Sequence, residues 1–202
     1  MSDTTRTGPK TWFTPRRIAR VAILIALSAV GAFIKLPSPT GTVALDSAPA
    51  FVAGAAFSPG EGAIVGAIGH LFSALVTGFP LGLPIHLLVA ASMAVFVFLY
   101  GLVARKINVW VAAVVGIILN GVGGAALLIP IYGIGIFATL VLPLLVGSLI
   151  NVVIAVAVVK VLDLTGLSEN AKRKKSAAAK LETPPADAAS AESPSPERPS
   201  AE

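Results

Sequence analysis

A chain of 202 residues that is 55% hydrophobic and only 12% charged, with a mean hydropathy of +0.88, is too apolar for a water-soluble domain. Its formal net charge is +5 and it has no cysteine, which excludes disulfides, thiolate nucleophiles and cysteine-bound zinc or iron–sulfur centres. The expectation is a membrane protein made of apolar helical spans of about 20 residues.

Arg16, Arg17 and Arg20 stand before the first apolar run. More apolar segments follow and no small-residue cleavage site appears, so the run reads as a retained helix over about 18–36, not as a signal peptide. It ends at KLPSP, where two prolines stop it. A polar connection with Thr40, Thr42 and Asp46 leads to a short apolar stretch, 48–57, closed by the turn residues of SPGEG. Further spans are expected over about 62–76, 83–104, 109–129 and 142–162, with breaks at TGFPLGLP, at Arg105 and Lys106, and at PIYGIG. From Ser168 onward the composition turns to Ala, Pro, Ser, Glu and Lys, which cannot bury a core and predicts disorder.

Six spans with the N-terminus inside put Arg6, Lys10, Arg16, Arg17, Arg20, Arg105, Lys106, Lys160 and the KRKK run at 172–175 on the cytoplasmic side, and only Lys35 on the other. The expected fold class is therefore an all-α membrane protein, a compact bundle of six transmembrane helices with both termini cytoplasmic, in the cell membrane. Its parts are a cytoplasmic N-terminal segment (1–15), a six-helix membrane domain (16–165) and a disordered cytoplasmic tail (166–202). KRKK reads as a flank of the last helix near anionic lipid, and no nucleic-acid partner is expected.

Ala22 and Ala26 share one face of the first helix, and Gly62, Gly66 and Gly69 repeat a small-residue pattern in the third. Such faces let backbones approach closely. For Ala22 and Ala26 two readings stand: packing within the chain, or docking of another membrane subunit. Polar groups at membrane depth mark candidate function. They are His70, Ser73, His86, Asn120, Tyr132 and Asn151, with Asp46 and Lys35 at the outer end; together they suggest a small-molecule pocket that opens outward.

A phosphate-binding G-x-x-x-x-G-K-[ST] loop is absent, which excludes ATP hydrolysis by that machinery. No carboxylate lies in mid-span, which weakens a stand-alone secondary carrier. Ser73 with His70 or His86 allows an intramembrane hydrolase only weakly, since no G-x-S-x-G motif accompanies them. No enzyme activity, metal or cofactor is expected. What remains is a binding protein that borrows its energy.

The segments RVAILIALSAVGAFIKLPSPTGTVALDSAPAF, GAIVGAIGHLFSALVTGFPLGLPIHLL and GIILNGVGGAALLIP resemble the substrate-binding S component of an energy-coupling factor (ECF) transporter over about 16–162. The resemblance implies a six-helix protein that binds a vitamin or precursor from outside and works with a transmembrane T component and two ABC-type ATPases. It also implies that Ala22 and Ala26 dock on the T component, and that the loaded subunit topples in the membrane to release its ligand inside. Within the family, PSPTGTVALDSAPAF and GHLFSALVTGFPLGLPIHLL look most like the S component assigned to α-ribazole, a nucleoside of cobalamin salvage. Cobalamin, riboflavin or another vitamin is the alternative. On that reading Thr42, Asp46 and Ser47 cap the pocket and Asp46 accepts ribose hydroxyls, while His86, Asn120, Tyr132 and Asn151 add polar contacts and Phe79 stacks on the base. Asp46 could equally cap the N-terminus of the short second helix.

Overall fold

The computed structural model describes residues 14–38, 41 and 43–182. Thr14 opens α1 (Pro15–Gly31) by accepting the Arg17 N–H, with Pro15 in the first turn where a missing N–H costs nothing. The inward face of α1 is Leu24, Ser28 and Gly31. Ala22 and Ala26 are exposed beside Ile23, Leu27 and Val30, which are half or more exposed, and Ala22 also borders a groove shared with Glu61 and Ile64.

The connection after α1 doubles back on itself: Leu36 donates to Val43 and Leu45 to Ile34, an antiparallel bridge and the sole β pairing among the described residues. Then comes α2 (Ala48–Phe57), whose second half, Ala53–Phe57, is wound as a π-helix. At Ser58 the chain turns into α3 (Pro59–Thr77). Ser58 Oγ accepts the Glu61 N–H at 3.1 Å and donates to Glu61 Oε1 at 3.3 Å, a capping box. The helix stops at Gly78, φ 78°, and Phe79 follows it into the left-handed region at φ 51°, a conformation that costs a bulky residue energy.

α4 (Leu83–Lys106) returns, and Asn108 caps α5 by accepting from the Trp110 and Val111 amides. α5 begins as Val109–Ile117, passes through a π segment, Ile118–Gly123, and ends at Gly124–Ala126; a short turn of helix, α6 (Ile129–Tyr132), follows. α7 (Ile134–Leu164) carries Pro143 in its interior, and α8 (Glu169–Glu182) closes the described chain.

Side-chain contacts align the two ends of the bundle. At one end Arg20 of α1 reaches Glu61 of α3, Phe57 of α2 and Glu169 of α8. At the other, Lys35 donates to Thr77 at 3.0 Å. Among the described residues the stretch between α1 and α3 is part loop and part helix. α2 has 10 residues, about 15 Å at 1.5 Å per residue, half a bilayer core.

Four helical stretches among the described residues, Pro59–Thr77, Leu83–Lys106, Val109–Tyr132 and Ile134–Arg173, are long and apolar enough to cross a membrane. α1 has only 17 residues and begins among arginines, and α2 has 10, so neither is among these four. The last span starts at Ile134, not near 142, since Gly133 at φ 76° breaks the chain earlier than the PIYGIG motif alone indicates. Helix also occupies Glu169–Glu182, where composition predicted disorder. Ser168, fully buried, accepts the Ala171 N–H and donates to Asp163, and Asn170 donates to the Ala55 carbonyl, so the tail helix is nailed to α2 and α7 at its first turn.

In lipid the hydrophobic effect does not press helices together, and close packing replaces it. A Cβ on Gly62 would lie 2.6 Å from the Gly54 Cα, and one on Gly101 2.8 Å from the Gly54 carbonyl oxygen. Three glycines therefore bring α2, α3 and α4 into backbone contact. Above them Phe51 and Tyr100 meet edge to face at 4.9 Å in the core.

Candidate functional site

A cavity is lined by α3, α4, α5 and α7 together with the 43–47 stretch. It is about 100 Å³ and is walled largely by Leu81, Met93, Phe96, Leu128, Leu140 and Leu144. Its polar groups come from separate elements: Asp46 from the connection, His70 from α3, His86 from α4, Asn120 from the π segment of α5 and Ser148 from α7. Among the described residues, no lysine or arginine lines it.

Asn151 holds the connection in place. Its Oδ1 accepts the Ala48 N–H at 2.8 Å, and its Nδ2 donates to the Ala44 and Gly147 carbonyls at 3.0 and 2.9 Å. One buried amide thus caps α2 from across the bundle and pins non-helical backbone at membrane depth, where unpaired peptide groups are costly. The cap of α2 is therefore Asn151, and Asp46 is left for other work: Ser73 and the backbone at Asp46 and Ser47 hydrogen-bond its carboxylate.

His70 Nε2 and His86 Nδ1 lie 3.2 Å apart with their rings stacked at 5.4 Å, so one imidazole donates to the other. The second nitrogen of His86, Nε2, is buried and has no partner among the described residues. The same holds for the Ser148 hydroxyl, 1% exposed. Buried polar atoms are normally paired, so two orphans on one apolar cavity point to a polar guest. Asn120, half-buried, likewise makes no side-chain hydrogen bond among the described residues.

Of the residues singled out from sequence, Asp46, Ser47, His86, Asn120 and Asn151 border the cavity, although Asn151 spends its amide on the backbone. Phe79 does not border it; its ring packs edge-on against His86 at 5.6 Å. Tyr132 is 46% exposed and stands away from it. Thr42 lies outside the described residues. Ser148 and His70 were missed as contacts, though Ser148 shares a face of α7 with Asn151 at a spacing of three, a legible sign. Ser73 bonds Asp46 and neither imidazole among the described residues, so no serine–histidine pair is assembled.

The family model described as the ECF transporter, substrate-specific component, matches residues 16–162. The chain belongs to that family. No curated protein and no solved structure matches it. The protein is accordingly the substrate-specific component of an ECF transporter, a multi-pass membrane protein of a family that works with a T component and ATPases, and the cavity is its candidate substrate site.

Proposed function

We propose that this S component binds a neutral, planar vitamin precursor of the nucleoside kind, with α-ribazole as the leading ligand, and delivers it inward with a T component and two ABC-type ATPases in the cell membrane. The observation that carries the reading is the cavity itself: an apolar slot with one carboxylate, orphaned donors and acceptors at His86 and Ser148, and no cation among the described residues. A carboxylate without a compensating lysine or arginine repels anions, which favours a nucleoside over its phosphate. Asp46 accepts ribose hydroxyls in this scheme, and charge-assisted bonds of that kind are the strong ones. His86, Ser148 and Asn120 meet the polar edge of the base.

A cavity of about 100 Å³ is on the scale of those that take one aromatic ring, about 150 Å³. Even a bicyclic base exceeds that volume, so the nucleoside requires the walls of the cavity to move outward. We place the termini on the cytoplasmic side, by the excess of arginine and lysine at that end, and count α1 and the half-helical stretch after it as crossings, six in all. Ala22 and Ala26 serve as the docking face for the T component, since both are exposed.

Calorimetric titration of the detergent-solubilised protein with α-ribazole, cobalamin and riboflavin tests the ligand. Binding of α-ribazole alone, weakened about tenfold by Ser148→Ala or Asp46→Asn, is the expected result. Binding of another compound retains the transport role and discards α-ribazole. Uptake by liposomes that contain this subunit without ATPases would favour a stand-alone carrier instead.

A further inference from the structure

A second pocket lies at the arginine-rich end, remote from the substrate cavity. It measures about 350 Å³ and is bounded by the last turn of α4, the first turn of α5, the lower part of α7 and the start of α8. Three cations from three helices line it: Arg105 of α4, Lys160 of α7 and Arg173 of α8. Asp163 is the one carboxylate in its lining, and it accepts the Ser168 hydroxyl. The neighbouring carboxylates that Arg105 senses are engaged elsewhere: Glu61 by Arg17 and Arg20, Glu169 by Arg20 and Lys172. Arg17 adds further positive charge near Arg105.

The Arg105 Nε is buried and has no hydrogen-bond partner among the described residues. A guanidinium N–H turned away from water without an acceptor is costly, and the fork geometry of arginine suits an oxyanion. The rim is of another character. Ile107 and Trp110 are each 63% exposed, and the Lys160 ammonium sits 5.5 Å from the centre of the Trp110 ring. An exposed tryptophan beside cations, at the level where two spanning helices end, has the composition of the headgroup layer. An apolar rim has no use for a free ion in water, but it suits the acyl chains of a molecule whose phosphate lies below.

We propose that this pocket binds the phosphate of an anionic lipid, with Arg105, Lys160 and Arg173 holding the oxygens and Ile107 and Trp110 lying along the chains. The site depends on neither the identity nor the presence of the vitamin ligand. Basic pockets between spanning helices recognise lipid headgroups through this chemistry. Because Arg173 belongs to α8, the bound lipid ties the tail helix to the bundle.

The test uses the full-length protein, purified and delipidated in a neutral detergent. Its melting temperature is followed while short-chain phosphatidylglycerol, phosphatidylcholine or inorganic phosphate is added. Phosphatidylglycerol should raise it saturably and phosphatidylcholine should not. Arg105→Gln should weaken the apparent affinity for phosphatidylglycerol about tenfold or more. Lys160→Gln, at an exposed position that folding tolerates, should weaken it less and serves if Arg105→Gln does not fold. Lys106→Gln, an exposed cation outside the pocket, should respond as the wild type does. An equal loss in Lys106→Gln, or no effect of phosphatidylglycerol on the wild type, overturns the site. An Arg105-dependent rise with inorganic phosphate at the same concentration overturns the lipid and leaves a phosphate-ion site.

Discussion

The two ends of this bundle solve opposite problems with the same kinds of residue. At the arginine end the polar groups around one acid are matched: the Glu61 carboxylate, wholly buried, takes both forks of Arg20 at 2.7 Å, Arg17 at 3.0 Å and its own cap serine. Backbone there packs to contact through Gly54, Gly62 and Gly101. At the cavity end, among the described residues, the Asp46 carboxylate has hydrogen-bonding neighbours but no cation in contact, Phe79 holds a left-handed backbone, and His86 and Ser148 leave atoms unpaired. The Glu61 cluster is finished by the chain alone, while Arg105 Nε, beside it, is open to the second pocket. The cavity end is left incomplete, and a substrate site needs that incompleteness, because a fully satisfied polar group has nothing to give a ligand.

Breaking the finished end should cost the most. Glu61→Ala leaves two arginines facing a buried void and should lower stability by about 3 kcal/mol, read as a fall in melting temperature in detergent, with the loss little changed by ligand. Gly62→Ala forces a methyl group into the Gly54 backbone and should cost about 1–3 kcal/mol by the same measurement. Asn151→Leu tests the boundary between the ends: it frees the Ala48 amide and the Ala44 carbonyl, should cost about 2 kcal/mol, and should also weaken ligand binding through the slackened connection.

At the unfinished end the effects fall on binding instead. Asp46→Asn removes the charge that accepts ligand hydroxyls and should weaken affinity about tenfold, read by calorimetry. Tyr132→Phe, at a half-exposed residue off the cavity, should leave affinity and stability within error.

How much of this was legible follows from what each residue depends on. Helix positions and the glycine contacts depend on local pattern, and the runs from 48 to 106 were placed within a few residues. The membrane-depth census likewise found most of the polar groups around the cavity. Roles that depend on distant partners were not legible: Asn151 and its acceptors at Ala44 and Ala48 are more than 100 residues apart, so nothing local separates a backbone staple from a ligand contact. Phe79 was misplaced for a different reason, because its direction is set by two successive left-handed residues and not by its neighbours in sequence. The tail helix escaped notice because its first turn is held by Ser168 and Asn170, single residues in a stretch whose composition speaks against order.

The stretch between α1 and α3, half helix and half loop, has one more consequence. Its non-helical part is held by side chains from other elements: Asn151 of α7 at Ala44, Ser73 of α3 at Asp46 and Thr77 of α3 at Lys35. The cavity is thus shared, since the connection supplies Asp46 and the helices supply His86, Asn120 and Ser148. A transplant of the connection alone between family members should therefore shift the choice of vitamin only in part.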